Sequence, residues 1–173
     1  MKKRDICVLA SVTAVVFVCT LTWYGSWVEG HGPGSLAVAS TKEALEIVTV
    51  RPATETMSRQ RLPYYVGISE ATAGSQGISM NLVVIPPGAA AQPHIHRGYE
   101  SAIYLLQGCV ETRYGPGLRK SMINQAGDFI FIPADVPHQP VNLSKTEPAR
   151  AIVARNDPNE QEHVFPYDPR KDL

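Results

Sequence analysis

The chain has no surplus charge of either sign: 16 Lys and Arg stand against 16 Asp and Glu in 173 residues. That balance argues against a nucleic-acid partner held by bulk electrostatics, because no positive excess exists to neutralise phosphates. Cysteine is scarce too. Of three, Cys7 and Cys19 fall in one apolar run, which leaves Cys109 alone in the rest of the chain. A single thiol forms no internal disulfide, so the downstream domain folds without one. Cys109 reads as a small apolar filler of a buried strand. Charged residues make up only 18% and hydrophobic ones 44%, which excludes intrinsic disorder. No internal repeat and no low-complexity tract is visible. Proline and glycine, in contrast, are plentiful at 14 and 13. That suits a turn-rich, all-β domain better than a helical bundle.

The first 39 residues read as targeting sequence. Lys2, Lys3 and Arg4 form a basic start, and between Asp5 and Glu29 no charge occurs. Residues 6–27 are a 22-residue apolar run, and at about 1.5 Å per residue a helix of that length crosses a ~30 Å hydrocarbon core. The basic flank predicts a cytoplasmic N-terminus, with everything downstream extracytoplasmic, either periplasmic or secreted. Trp23, Tyr24 and Trp27 sit at the far end, where aromatic rings favour the lipid–water interface. Two readings stay open. One is a signal peptide cut after Ala37-Val38-Ala39; the other is an uncleaved anchor holding the protein on the inner membrane. Gly30, Gly32, Pro33, Gly34 and Ser35 then form a flexible spacer. The globular domain is expected over residues 40–173.

Within that domain the signals are mostly β. A short helical turn is expected at 41–46, then strands at 46–50, 77–85, 101–106, 109–114, 128–132 and 149–154. Most of these runs stop at turn residues such as Pro86-Pro87-Gly88, Gly115-Pro116-Gly117 or Asn156-Asp157-Pro158. Short strands at such spacing indicate a sandwich or barrel.

The most informative residues are histidines. His94 and His96 are two apart, so on a strand both side chains leave the same face. Glu100 follows four residues later. His138 stands just past Pro133, Asp135 and Pro137, where it enters another strand. Three imidazoles and a carboxylate form a nitrogen/oxygen set suited to a divalent transition metal, with Fe, Mn, Ni, Cu and Zn all compatible, and unsuited to Ca. Counting by twos from His94 and Glu100 puts Gln92 and Tyr104 on the inward face, as candidate contacts to a bound small molecule.

These two stretches resemble the paired signature motifs of the cupin superfamily. Gly88, His94, His96 and Glu100 match the first motif, and Gly108 closes it one residue late. Gly127, Pro133, His138 and Asn142 match the second, with Asp135 where the family usually carries glycine. Aspartate tolerates left-handed backbone better than most residues, so the turn survives that change. The layout is similar to a group of small, single-domain, RmlC-like cupins of unassigned activity. The resemblance implies a double-stranded β-helix (a jelly-roll barrel), here preceded by an N-terminal hydrophobic helix. It implies one divalent metal held by His94, His96, Glu100 and His138, with Asn142 fixing backbone or supporting the ligands from behind.

The resemblance further implies a metal-dependent enzyme of dioxygenase, decarboxylase or isomerase type, acting on a small organic acid, enol or sugar. From another class comes the alternative of a non-catalytic cupin that binds a metal or small ligand. Fold and motif do not choose between them. A homodimer is a further implication of the family, and a membrane partner follows only if residues 6–27 are retained.

Overall fold

Alternation of apolar and polar residues on short strands generates the architecture. In a computed structural model, which describes residues 46–172, eleven strands are found among the described residues, all paired antiparallel. They are β1 (Thr56–Met57), β2 (Pro63–Ile68), β3 (Ser79–Ile85), β4 (His94–His96), β5 (Ser101–Gln107) and β6 (Cys109–Tyr114). After these come β7 (Lys120–Gln125), β8 (Phe129–Ile132), β9 (His138–Asn142), β10 (Ala149–Arg155) and β11 (Val164–Pro166). One sheet has the order β1-β2-β3-β10-β5-β8, the other β11-β4-β9-β6-β7. This is the two-sheet, all-β fold that the turn spacing predicted.

β10 shows how the pattern works. Its residues Ala149, Ala151, Val153 and Arg155 are buried, and Arg150 between them is exposed. The strand runs through the middle of its sheet, pairing with β3 on one side and β5 on the other. Ala149, Ala151 and Val153 join Leu62, Ile85, Leu105 and Val110 in one apolar core. Burial of such side chains contributes roughly 1.5–3 kcal/mol each. The β5–β6 corner requires Gly108, whose φ is 96°, because a Cβ there would come within 2.8 Å of the Ala149 Cα. A short helix α1 (Glu70–Ala73) follows β2, capped by the Ser69 hydroxyl, which accepts from the Thr72 amide at 3.2 Å.

Several expectations need correction. Residues 46–50 form no strand among the described residues and are largely exposed. β2, β7 and β11 were not foreseen. β2 opens on a proline, β7 is a mostly polar and exposed edge, and β11 has only three residues, so none shows a clear period of two. The N-terminal hydrophobic helix and the turn at 41–46 fall almost wholly on residues outside those described. Among the described residues no helix is long and apolar enough to cross a membrane.

Candidate metal centre

The centre is built where β4 lies between β9 and β11. Residues two apart share a strand face, so His94 and His96 project together, and register sets His138 of β9 opposite His94. The three imidazoles are buried, each 3% exposed. One ligand nitrogen from each lies within 4.8 Å of the others, and ring centroids are 4.2 Å apart for His94 and His138.

Backbone carbonyls fix two of the rings. The Nδ1 of His94 lies 2.7 Å from the Gln92 carbonyl oxygen, and that of His138 lies 2.8 Å from the Val136 carbonyl oxygen. A carbonyl only accepts, so Nδ1 carries the proton in both rings and Nε2 keeps its lone pair. The Nε2 of His96 is buried without a hydrogen-bond partner. A buried polar nitrogen left unpaired is costly, and a metal ion satisfies it.

Asp135 ties the two histidine segments together. It adopts a left-handed φ of 63°, as the departure from glycine allows. Its amide donates to the His96 carbonyl at 3.1 Å, and its Oδ1 accepts from the Gly98 amide at 3.2 Å.

All three rings are held neutral. Burial lowers His94 well below the ordinary histidine value, and the neighbouring His138 adds to the effect. Burial also lowers His96, helped by the Arg155 charge. His138 falls to about 4, again through burial, with its bond to Val136 opposing the shift. Neutral imidazole is the form that binds metal. Three such nitrogens, pre-oriented and close together, fit a divalent transition ion.

The structure does not bring Glu100 to this cluster. Its side chain is exposed, and its amide donates to Asn156 Oδ1 at 2.8 Å just ahead of β5. Parity explains the displacement: Ser101, which begins β5, takes the buried position, so the residue before it faces outward. The same parity corrects Tyr104. Ser101, Ile103 and Leu105 are the inward residues of β5, whereas Tyr104 is 37% exposed and lies on the outer face against Phe129, with ring centroids 4.6 Å apart. The Gln92 side chain is exposed in a cleft of about 270 Å³, shared with Arg59, Gln60 and His94. Its carbonyl is the part that meets the site. Asn142 is buried, and its amide nitrogen donates to the carbonyls of Ile85, Pro86 and Glu147 while Oδ1 accepts from the Ser144 amide. It therefore fixes backbone.

Behind the imidazoles the barrel holds a cavity of about 70 Å³, lined by aliphatic side chains together with His94, His138, Gln60, Thr112 and Arg155. A second, open cleft of about 300 Å³ reaches His138 from the other side, past Tyr114, Lys120 and Met122. Sequence reasoning missed Gln60 and Arg155. For Gln60 there was no signal. For Arg155 there was one: it continues the buried parity of Ala149, Ala151 and Val153, but the strand was expected to end at 154.

Comparison with known proteins agrees with this fold. A family model described as "Cupin domain" matches residues 81–155. The polyketide cyclase RemF from Streptomyces resistomycificus superposes with a TM-score of 0.57 at 20% identity, over 73% of this chain and 89% of that one. An uncharacterised double-stranded β-helix protein from Klebsiella pneumoniae gives 0.52 at 16%, over 65% and 90%. Bacillus subtilis oxalate decarboxylase, a protein with Mn(II) centres, gives 0.52 at 20%, over 64% of this chain but only 28% of its own. The chain spans about a third or less of the oxalate decarboxylases it matches. At these identities the likeness shows the fold alone. No curated protein sequence matches the chain.

Proposed function

Because this chain belongs to the cupin superfamily, with a cupin domain over residues 81–155, we propose that it is a metal-dependent enzyme acting on a small organic acid, enol or sugar. The observation that carries the reading is the buried, partnerless His96 Nε2 beside two imidazoles that backbone carbonyls hold in the ligating tautomer. His94, His96 and His138 would hold one divalent transition ion. When bound, the ion supplies Lewis-acid polarisation of a substrate oxygen, or redox chemistry if it is iron, copper or manganese. The chain's own residues do the rest. Gln92 and Val136 orient the rings, Asp135 keeps the two segments in register, and aliphatic side chains make up most of the cavity lining.

Decarboxylation, dioxygenation and isomerisation all suit such a site, and an oxalate decarboxylase and a polyketide cyclase are among the proteins that share the fold. A second reading, a cupin that binds a ligand without turning it over, draws on one observation. Among the described residues no carboxylate lines the interior cavity as a proton carrier. Export and a homodimer complete the proposed reading. Export rests on the basic start and the run at 6–27; the dimer rests on an exposed apolar sheet face.

The test is elemental analysis of protein purified without chelators or an affinity nickel column. About one transition ion per chain is expected, followed by turnover or oxygen uptake with small acids and enols. A chain that takes up no Fe, Mn, Ni, Cu or Zn overturns the metal-dependent reading.

A further inference from the structure

One polar side chain in the cavity wall is buried with half of its hydrogen bonding unmet. Gln60 lies in the turn between β1 and β2 and is 6% exposed. It lines the interior cavity with His94 and His138, and it lines the neighbouring cleft of about 270 Å³ with His94 and Gln92. Its Oε1 is buried and accepts no hydrogen bond. Four buried side-chain atoms among the described residues lack a partner, on Gln60, Ser79, His96 and Asn124. Of those four residues, Gln60 is the one that lines the cavity.

The turn that carries it is fixed from several sides. The Arg61 amide donates to the Ser58 carbonyl at 3.0 Å, and the Leu62 amide donates to the Ser58 hydroxyl at 3.0 Å. Arg61 holds a left-handed φ of 61°, a conformation that is costly for a residue with a side chain. The Gln60 carbonyl accepts from the Gln92 amide at 2.8 Å, and the Gln92 carbonyl in turn meets His94 Nδ1 at 2.7 Å. Gln92 therefore ties the Gln60 turn to the His94 ring. A carboxamide oxygen only accepts, so what it lacks is a donor. A buried acceptor without a donor is costly, and a ligand hydroxyl in the cavity supplies one.

We propose that the Gln60 carboxamide binds the hydroxyl of a small hydroxy acid beside the three-histidine centre. The inference rests on the metal-site reading for the acid group. Three imidazoles add no negative charge to a divalent ion, and no carboxylate among the described residues lines the cavity, so an anionic oxygen is favoured next to the ion. The hydroxyl is then read by Gln60. A cavity of about 70 Å³ has room for roughly five water molecules, which sets the ligand at about two to four carbons and excludes a sugar ring. Gln60 is here a binding residue for substrate, and Ser58 and Gln92 position it.

The test is calorimetric titration of the full chain with glycolate and with propionate, an anion of the same shape in which a methyl group replaces the hydroxyl. It is run on Mn(II)-loaded and on metal-free protein. Glycolate is expected to bind about tenfold more tightly than propionate or better, because a site built to pair a hydroxyl rejects the analogue without it. Gln60→Met keeps the length of the side chain and removes its polar atoms. It is expected to bring the two affinities within about twofold of each other, with metal content unchanged. A merely structural role would weaken both ligands alike and leave their ratio where it was. A wild-type protein that binds neither ligand, or does not prefer glycolate, overturns the proposal. So does a folded Gln60→Met protein that keeps the full preference, as it would if the hydroxyl were held by the ion alone. Should Gln60→Met not fold, Gln60→Asn, which withdraws the amide by one methylene, is expected to reduce the ratio, and an unchanged ratio there overturns the proposal. Failure of the metal reading looks different: no ion is taken up, while the ratio in metal-free protein still reports on Gln60.

Discussion

At the scale of single residues, the histidines were legible and the carboxylate was not. His94 and His96 declare themselves by a spacing of two, and His138 by its place after a proline-framed turn. Glu100 is placed in the sequence by its distance of four from His96 and by the family motif, and Tyr104 by counting twos from Glu100, but the chain turns between His96 and Glu100, where Gly98 has a φ of 74°. A turn resets parity, and no pattern in the sequence reports by how much. Substitution separates the two outcomes. His96→Ala is expected to abolish stoichiometric metal, whereas Glu100→Ala is expected to retain it, since the exposed carboxylate stands outside the cluster. Elemental analysis of both variants checks this, and loss of metal from Glu100→Ala would restore the four-ligand set.

The same residues predict a pH dependence. An unfolded histidine takes up its proton near pH 6.5, while His138 in the folded protein resists until about 4. Between those values the unfolded chain binds more protons, so metal-free protein is stable above pH 6.5 and loses stability as pH falls. A shift of that size is equivalent to roughly 3 kcal/mol once acidification is complete. Melting temperatures of metal-free protein from pH 7 to 4 should decline; a flat profile would contradict the buried neutral state.

At the scale of elements, strands with strong alternation were found within a residue or two of their ends, as with β3, β5, β6, β8 and β10. The edge strands β7 and β11 were lost because one is mostly exposed and the other only three residues long, which leaves no pattern to identify them. The elements also depend on a few fixed points that contact no ligand. Asn142 closes the end of β9 onto three carbonyls, and replacing it with alanine leaves those groups buried and short of a donor. About 3 kcal/mol of lost stability is expected, at 1–3 kcal/mol per unpaired group. Gly108→Ala should cost about 2 kcal/mol, through its left-handed backbone and the approach to Ala149. Denaturant melts measure both, and in each case metal stoichiometry at low denaturant should be unchanged.

At the scale of the whole molecule, the outer face of the six-stranded sheet is apolar. Phe129 is 85% exposed and Phe131 63%, both on the edge strand β8, with Tyr104, Met80 and Leu106 beside them. Neither composition nor periodicity shows this, because a hydrophobic residue on a strand is read as core until its facing is known. An open edge next to an apolar face suits a second copy of the chain, whose own β8 could pair antiparallel across a two-fold axis. Phe129→Lys is accordingly expected to shift sedimentation from dimer to monomer without changing metal content. A wild-type chain that sediments as a monomer would remove the dimer from the proposed reading.

The imidazoles belong to the five-stranded sheet and the Arg155 guanidinium to the six-stranded one. A small ligand seated in the cavity between them would rivet one wall of the barrel to the other. Ligand arrival would then be felt as a stiffening of the seam, slowing amide exchange in β4 and at the end of β10 together, on strands that share no backbone hydrogen bond.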